Sequence, residues 1–224
     1  MDLQFIDLGR VAYAEAYRRQ LELHEQVLDR RRSPVVLLLE HDPPVITLSK
    51  RATAAGHLLA DSDALARDGI EVHQTNRGGD ITYHGPGQLV VYPIVHLDDL
   101  GLGVRAYVRL LEQVAIDTLG RFQVEAGRDE GGIGVWVGGA KIAAVGVRIR
   151  RRVSLHGLAV NVDVDLAHFG HIVPCGLDRP VTSLRRLLGG ESPELGEVRS
   201  VLEEVFRGHF GRLAGSTTGG STPR

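Results

Sequence analysis

The chain has 224 residues, of which 43% are hydrophobic and 24% are charged, as is ordinary for a globular protein of one or two domains. Its net charge of −2 argues against a nucleic-acid-binding protein, which would be strongly basic. The single cysteine excludes a disulfide-stapled secreted scaffold, and the lack of a signal peptide or long apolar run predicts a cytoplasmic protein that does not bind membranes.

Hydrophobic periodicity predicts alternating helices and strands in the first half of the chain. The predicted elements are a helix at 11–31, strands at 35–40 and directly after Pro43-Pro44, and a short helix at 61–69. The apolar face of the first helix is predicted to consist of Ala14, Tyr17, Leu21 and Leu28.

The second half continues the mixture. Its predicted elements are a glycine-rich loop leading into a strand over 76–95, a helix at 103–119, strands at 132–137, 141–149 and 155–164, and a helix at about 195–210. Glycine and arginine turns between the middle strands favour antiparallel pairing. Because no linker divides the chain, we expect a single α+β domain over 1–212, with a central mixed sheet flanked by helices. The polar tail, 213–224, is predicted to be disordered.

Cys175 is the first candidate for chemistry. A lone cysteine is most often a small buried hydrophobe, but this one stands between Pro174 and Gly176. Glycine lets backbone amides come close to a bound group, a setting typical of a nucleophile beside an oxyanion site. A free thiol has a pKa of about 8.5, so a nucleophilic Cys175 needs a group that stabilises its thiolate.

Lys141 is the candidate for that group. It is one of two lysines, and it enters an apolar strand after Gly138-Gly139-Ala140. An ammonium close to Cys175 would stabilise the thiolate, and desolvation would suit the amine to relaying protons. A solvent-exposed lysine is the equally open alternative.

Histidines and arginines leave further alternatives open. His84 and His156 line a pocket or are structural, and His171 is an alternative base for Cys175. The loop around RGGDITYHGPG matches no phosphate-binding motif, so it is either an acyl-contacting loop or a plain glycine hairpin. The arginine runs at 30–32 and 148–152 are solvated, or they dock an acidic protein. No spacing of cysteines and histidines predicts a metal site.

Four blocks of sequence together carry a family resemblance. They are RGGDITYHGPGQLVVYP (77–93), GGAKIAAVGVRI (138–149), SLHGLAVNVDVDLAHF (154–169) and PCGLDRPVTSL (174–184). In this order they resemble the octanoyltransferases, or lipoyl(octanoyl) transferases, of lipoate biosynthesis, and the likeness covers roughly 35–185. The resemblance implies the fold of biotin and lipoate protein ligases.

The resemblance also implies the reaction. An octanoyl group would pass from octanoyl-acyl carrier protein to a lysine of a lipoyl domain, through a cysteine thioester and without a cofactor. The acceptors would be the E2 subunits of 2-oxoacid dehydrogenases and the glycine cleavage H protein. The implied catalytic pair is Cys175 and Lys141. The implied acyl-binding residues are Arg77, Gly78, Gly79, Asp80, Ile81, Thr82, Tyr83, His84, Ala144, Val145, Gly146, Gly157, Leu158 and Ala159.

Two other classes of function compete with acyl transfer. One is an ATP-dependent lipoate or biotin ligase on the same fold, which would need no nucleophilic thiol. The other is a non-catalytic module that binds an acyl group. A thiol protease is disfavoured, because no histidine–asparagine set stands out near Cys175.

Overall fold

The structure is a computed structural model that describes residues 3–51, 54–130, 132–173 and 179–217, with side chains up to Leu213. In these residues the strands are β1 (Gln4–Val11), β2 (Val35–His41), β3 (Val45–Leu48), β4 (Glu71–Gln74), β5 (Ile81–His84), β6 (Gln88–Ile94), β7 (Gly127–Asp129), β8 (Gly132–Val137), β9 (Ala140–Arg150) and β10 (Val153–Asn161). The α-helices are α1 (Tyr13–Leu28), α2 (Ser62–Arg67), α3 (Val104–Gly120), α4 (Leu184–Leu187) and α5 (Leu195–Thr217).

The described strands form two sheets. The larger has seven strands in the order β1-β2-β6-β10-β9-β8-β7, and the smaller has three in the order β4-β3-β5. In each sheet one pair is parallel, β1 with β2 and β3 with β4, and the other neighbours are antiparallel. The predicted α+β fold with a mixed sheet is therefore confirmed, as is the antiparallel pairing of the middle strands.

Helices cover both faces of the large sheet, which explains why β6 and β10 are buried at every position. Successive side chains of a strand point to opposite faces. Accordingly Val36 and Leu38 of β2 pack in the cluster that includes α3 and α5, whereas Val35 and Leu37 pack in the cluster that includes α1. Each such fully buried side chain contributes about 1.5–3 kcal/mol to folding.

The predicted buried face of α1 is wrong. Its buried residues are Tyr13, Ala16, Gln20, Leu23, His24 and Val27. Two of these are polar because they bond to backbone of the large sheet. The Oε1 of Gln20 accepts from the amide of His156 at 2.8 Å, and the Nε2 of His24 lies 3.3 Å from the carbonyl oxygen of Arg150. Apolar periodicity does not detect such side chains.

Other elements differ from the prediction at the ends of the chain. The first strand, β1, was not predicted, because most of its residues are partly or fully exposed and it has no clean alternation of apolar and polar positions. The last helix continues to Thr217, beyond the expected end at about 210. None of the helices in the described part of the chain has the length and apolar character needed to cross a membrane.

Candidate functional site

Residues of both sheets line a cleft with an empty volume of about 540 Å³, part of which is open to solvent. Its walls are mainly apolar, with a few polar groups among them. The lining consists of Tyr13, Thr47, Arg77, Gly79, Ile81, Thr82, His84, Tyr92, Ile133, Lys141, Ala144, Val145, Gly146, His156, Gly157, Leu158 and Ala159. Such a concave, largely apolar site with few polar groups is typical of ligand binding.

Most of the residues proposed from the sequence lie in this lining. The structure brings together Lys141, Arg77, Gly79, Ile81, Thr82, His84, Ala144, Val145, Gly146, Gly157, Leu158 and Ala159. These come from the loop before β5, from β5 itself, and from the paired middles of β9 and β10, where Ala144 lies opposite Ala159.

Three residues of the proposed acyl-binding set lie outside the lining. The amide of Gly78 donates to the carbonyl oxygen of Val147 at 2.9 Å. A carboxylate oxygen of Asp80 lies 2.6 Å from the Nδ1 of His57. The hydroxyl of Tyr83 lies 2.8 Å from the Nδ1 of His168. These contacts hold the surrounding loops together.

Two glycines of the lining are required by close backbone approach. A Cβ on Gly146 would lie 2.8 Å from the carbonyl oxygen of Gly78 and 3.3 Å from the Cδ of Arg77. A Cβ on Gly157 would lie 2.1 Å from the carbonyl oxygen of Val91. The guanidinium of Arg77 is held in place by Thr47, whose carbonyl and hydroxyl oxygens accept from it at 2.8 and 3.0 Å.

Lys141 is buried, with 8% of its surface exposed. Its Nζ donates to the carbonyl oxygen of Ile133 at 3.2 Å and lies 4.7 Å from the centroid of the Trp136 ring. A carbonyl oxygen and an aromatic face both favour a cation. The alternative of a solvent-exposed Lys141 is therefore wrong.

Cys175, with its neighbours Pro174 and Gly176, lies outside the described residues. The chain on either side is well bonded. The amide of Val173 donates to the carbonyl oxygen of His57 at 2.8 Å. On the other side, two backbone hydrogen bonds join this part of the chain to Lys141. The amide of Lys141 donates to the carbonyl oxygen of Pro180 at 2.9 Å, and the carbonyl oxygen of Lys141 accepts from the amide of Thr182 at 2.9 Å. Residues 180–182 thus run alongside Lys141.

Three histidines at or beside the cleft are uncharged at neutral pH. Burial lowers the pKa of His41 to about 4 and that of His156 to about 3, and it holds the pKa of His84 well below its usual value. Of the histidines proposed from the sequence, His84 and His156 line the cleft. The third, His171, instead binds Asp68 at 2.7 Å, outside the lining.

A chain of hydrogen bonds joins His84 to the backbone beside Lys141. The Nδ1 of His84 lies 2.7 Å from the Oε1 of Gln88, whose Nε2 donates to Asn161 at 2.9 Å. The side-chain amide of Asn161 then donates to the carbonyl oxygen of Thr182 at 2.9 Å. Because the oxygen of Gln88 only accepts, His84 carries its proton on Nδ1, and the lone pair of its Nε2 is available to an incoming donor.

Sequence reasoning missed four residues of the lining, namely Tyr13, Thr47, Tyr92 and Ile133. They come from α1, β3, β6 and β8, which are distant in sequence. Only Thr47 carries a local signal, as a fully buried polar residue in an otherwise apolar strand.

Four of the seven arginines in the two arginine runs form ion pairs within the described part of the chain. Arg30 pairs with Asp99, Arg31 with Asp29, Arg150 with Glu25 and Arg152 with Asp98. These pairs are partly exposed and contribute little to stability. They occupy four of the seven guanidinium groups, so docking of an acidic partner by these runs stays an open alternative.

Comparisons with known proteins agree with this geometry. The family described as lipoyl protein ligase A/B catalytic domain matches residues 12–207. An octanoyltransferase of Solibacter usitatus (strain Ellin6076) is 50% identical over 216 residues, covering 92% of this chain and 90% of its own length. An octanoyltransferase of Gloeobacter violaceus is 46% identical over 207 residues, covering 92% and 89%.

The fold has a counterpart among solved structures. A bi-partite lipoate protein ligase from Thermoplasma acidophilum superposes with a TM-score of 0.71 at 16% identity, covering 96% of this chain and 91% of the ligase chain. This likeness shows the fold, as expected from the sequence. The sequence matches also show the family, because they are long and have high identity. The chain belongs to the lipoyl protein ligase A/B catalytic-domain family, among the octanoyltransferases.

Proposed function

We propose that this acyltransferase moves an octanoyl group from octanoyl-acyl carrier protein to a lysine of a lipoyl domain, through a thioester on Cys175. The octanoyltransferase relatives support octanoyl transfer in protein lipoylation. The observation that carries the mechanism is the buried position of Lys141 in the wall of an apolar cleft, beside residues 180–182.

The first half of the reaction loads the enzyme. The thiolate of Cys175 attacks the carbonyl carbon of the octanoyl thioester and forms a new carbon–sulfur bond. The bond to the sulfur of the carrier breaks, and that sulfur leaves with a proton from the Nζ of Lys141. The enzyme then holds a thioester on Cys175 and a neutral amine on Lys141.

The second half unloads it. The amine of the lipoyl-domain lysine attacks the carbonyl carbon of the thioester, and its proton passes to the Nζ of Lys141. The carbon–sulfur bond breaks and returns Cys175 to a thiolate beside an ammonium. A thioester is converted into an amide, which is downhill, so the cycle needs no ATP.

The environment of Lys141 suits both halves. Two of its contacts, the carbonyl oxygen of Ile133 and the ring of Trp136, stabilise an ammonium. In a buried wall, a cation stabilises a nearby anion more strongly than it does in water.

The apolar walls of the cleft suit the binding of an apolar acyl chain. Ala144 and Ala159, which lie opposite each other on the paired strands β9 and β10, are small residues of the cleft wall and leave room for the chain beside the sheet. Each methylene group buried there would contribute about 0.8 kcal/mol to binding. Selection by chain length is consequently limited, and one methylene alters the preference by about 10- to 200-fold at most.

A lipoyl domain is the supported class of acceptor. The T. acidophilum ligase has been structurally analysed together with its E2 lipoyl domain. The E2 subunits and the glycine cleavage H protein as acceptors, and a cytoplasmic location, stay predictions.

Intact-mass spectrometry tests the proposal directly. After incubation with octanoyl-acyl carrier protein and no ATP, the wild-type protein should gain the mass of one octanoyl group, and a lipoyl domain added next should remove it. The Cys175→Ala variant should gain none. Normal transfer by that variant, or transfer only from free octanoate with ATP, would contradict the proposal, and the second result would identify a ligase.

A further inference from the structure

A second groove lies beside the cleft, between α3 and the β7–β8 hairpin, and the proposed chemistry does not use it. We call it the α3 groove and define it by Val104, Arg105, Val108 and Arg109 on one side and Ile133 on the other. Ile133 also lines the cleft, and its carbonyl oxygen accepts the bond from Lys141. The α3 groove therefore adjoins the cleft at Ile133, next to Lys141.

The two walls of the α3 groove are fixed to each other. The Nε of Arg128 donates to the carboxylate of Glu112 at 3.1 Å, and the other oxygen of that carboxylate accepts from the amide of Gly134 at 3.0 Å. A further bond of 2.9 Å joins Arg128 to the carbonyl oxygen of Arg109. The groove is thus a built feature of the fold.

Apolar side chains in the α3 groove face water. Ile133 is 58% exposed and Val104 is 47% exposed, which places both among the most exposed large apolar residues in the described part of the chain. Exposed apolar side chains that lie together at a groove are typical of a protein-binding surface.

Two arginines lie beside these apolar residues, and their charges do not stabilise α3. Arg105 and Arg109 are exposed, and neither guanidinium forms an ion pair with an acid of the described residues. They lie one turn apart, a spacing at which like charges repel. Arg105 is also in the first turn of α3, which contains no acid, and the helix dipole disfavours a cation there. Three acids also line the groove: Glu112 pairs with Arg128, Asp129 pairs with Arg179, and Glu130 is the third.

We propose that the α3 groove docks the carrier protein of the acyl donor. Carboxylates on the carrier would pair with Arg105 and Arg109, around apolar residues that contact Val104 and Ile133. The carrier must deliver its thioester arm to the cleft, and this groove ends beside Lys141. The inference rests on the proposed function, because it takes an acyl carrier as the donor.

The test compares two donors of the same acyl group. The double variant R105E/R109E is assayed with octanoyl-acyl carrier protein and with the octanoyl thioester of N-acetylcysteamine, which lacks a carrier. We expect the KM for the carrier-linked donor to rise by about tenfold or more at low salt, and the difference to shrink at high salt. The rate with the small thioester should stay within about twofold, which also shows that the variant is folded.

Matched controls make the result specific. The variant R67E/R186E introduces the same change of charge at two other exposed arginines, and it should leave the KM for both donors unchanged. The milder R105Q/R109Q should give a smaller effect of the same kind, and it replaces R105E/R109E if that variant does not fold.

Two outcomes would overturn the inference. One is an unchanged KM for octanoyl-acyl carrier protein in R105E/R109E. The other is a raised KM for the lipoyl domain alone, which would assign the groove to the acceptor. If wild type transfers from neither donor, the proposed function fails instead. Fluorescence anisotropy of labelled acyl carrier protein then tests the groove separately, and R105E/R109E should bind about tenfold more weakly than R67E/R186E.

Discussion

The Nζ of Lys141 lies 3.2 Å from the carbonyl oxygen of Ile133, on a side chain that is 8% exposed. The two residues come from adjacent antiparallel strands, β9 and β8, so the register of one ribbon sets the position of the amine. Gly134 leaves room for this side chain, since a Cβ there would lie 3.2 Å from the Cε of Lys141.

Replacing Lys141 by alanine should slow acyl transfer and leave the fold intact. We expect the rate of enzyme acylation to fall by about 10²- to 10⁴-fold, the usual contribution of proton transfer and charge stabilisation. Time-resolved intact-mass spectrometry measures it. Lys50→Ala, at the other and exposed lysine, is the control and should keep the wild-type rate. An acylation rate equal to wild type in Lys141→Ala would exclude the proposed role.

The buried histidines should make the protein sensitive to acid. The pKa of His41 is about 4 in the folded state, against about 6.5 unfolded, so the unfolded chain binds more protons between these values. The stabilisation is complete above pH 6.5 and is lost as the pH falls toward 4. For His41 alone the loss is on the order of 3 kcal/mol.

Urea denaturation between pH 7.5 and 4.5 measures that loss. The variant His41→Asn removes the titrating group, so its free energy of unfolding should change less steeply with pH than that of the wild type. His209→Gln, on α5 away from the cleft, is the matched control. Equal slopes for His41→Asn and the wild type would show that His41 does not contribute.

Gly157→Ala should unfold or strongly destabilise the protein. Its new Cβ would lie 2.1 Å from the carbonyl oxygen of Val91 and 2.6 Å from the Cδ of Pro93, so the contact between β10 and β6 must open. We expect a loss of more than about 3 kcal/mol. Gly127→Ala, where the added Cβ meets nothing within 4 Å, should alter stability by less than about 1 kcal/mol. Urea denaturation compares them, and similar values for the two variants would refute this account.

Removing the amide of Asn161 should weaken the fold near Lys141. In Asn161→Ala the Nε2 of Gln88 and the carbonyl oxygen of Thr182 each lose a buried partner, at a cost of about 1–3 kcal/mol. The control is Ser200→Ala, which removes an exposed bond within α5 and should cost much less. If the two variants had the same midpoint in urea, the network would not be structurally important.

The sequence predicts most of the scaffold because local patterns determine it. The continuous run at 35–40 corresponds to β2, and the glycine and arginine pairs mark the turns between β8, β9 and β10. The pattern fails for α1, where polar Gln20 and His24 are buried by bonds to distant backbone. Such bonds depend on the tertiary fold, and no local sequence pattern predicts them.

The candidate site is likewise predicted only in the parts that have a local sequence pattern. Glycine-rich and small residues near Arg77, Gly146 and Gly157 carry a signal that sequence comparison detects. Tyr13 and Tyr92 do not, because each belongs to an ordinary helix or strand and reaches the cleft only when distant segments meet. Cys175 was proposed from its neighbours in sequence, and its role stays a prediction.

The uncharged state of His41, His84 and His156 has a kinetic consequence. With pKa values of about 4 and about 3, His41 and His156 gain or lose no proton between pH 6 and pH 8, and burial lowers the pKa of His84 in the same direction. Turnover recorded over that interval would therefore report ionisations elsewhere, on the thiol, the amines or the incoming substrates, uncomplicated by these three rings.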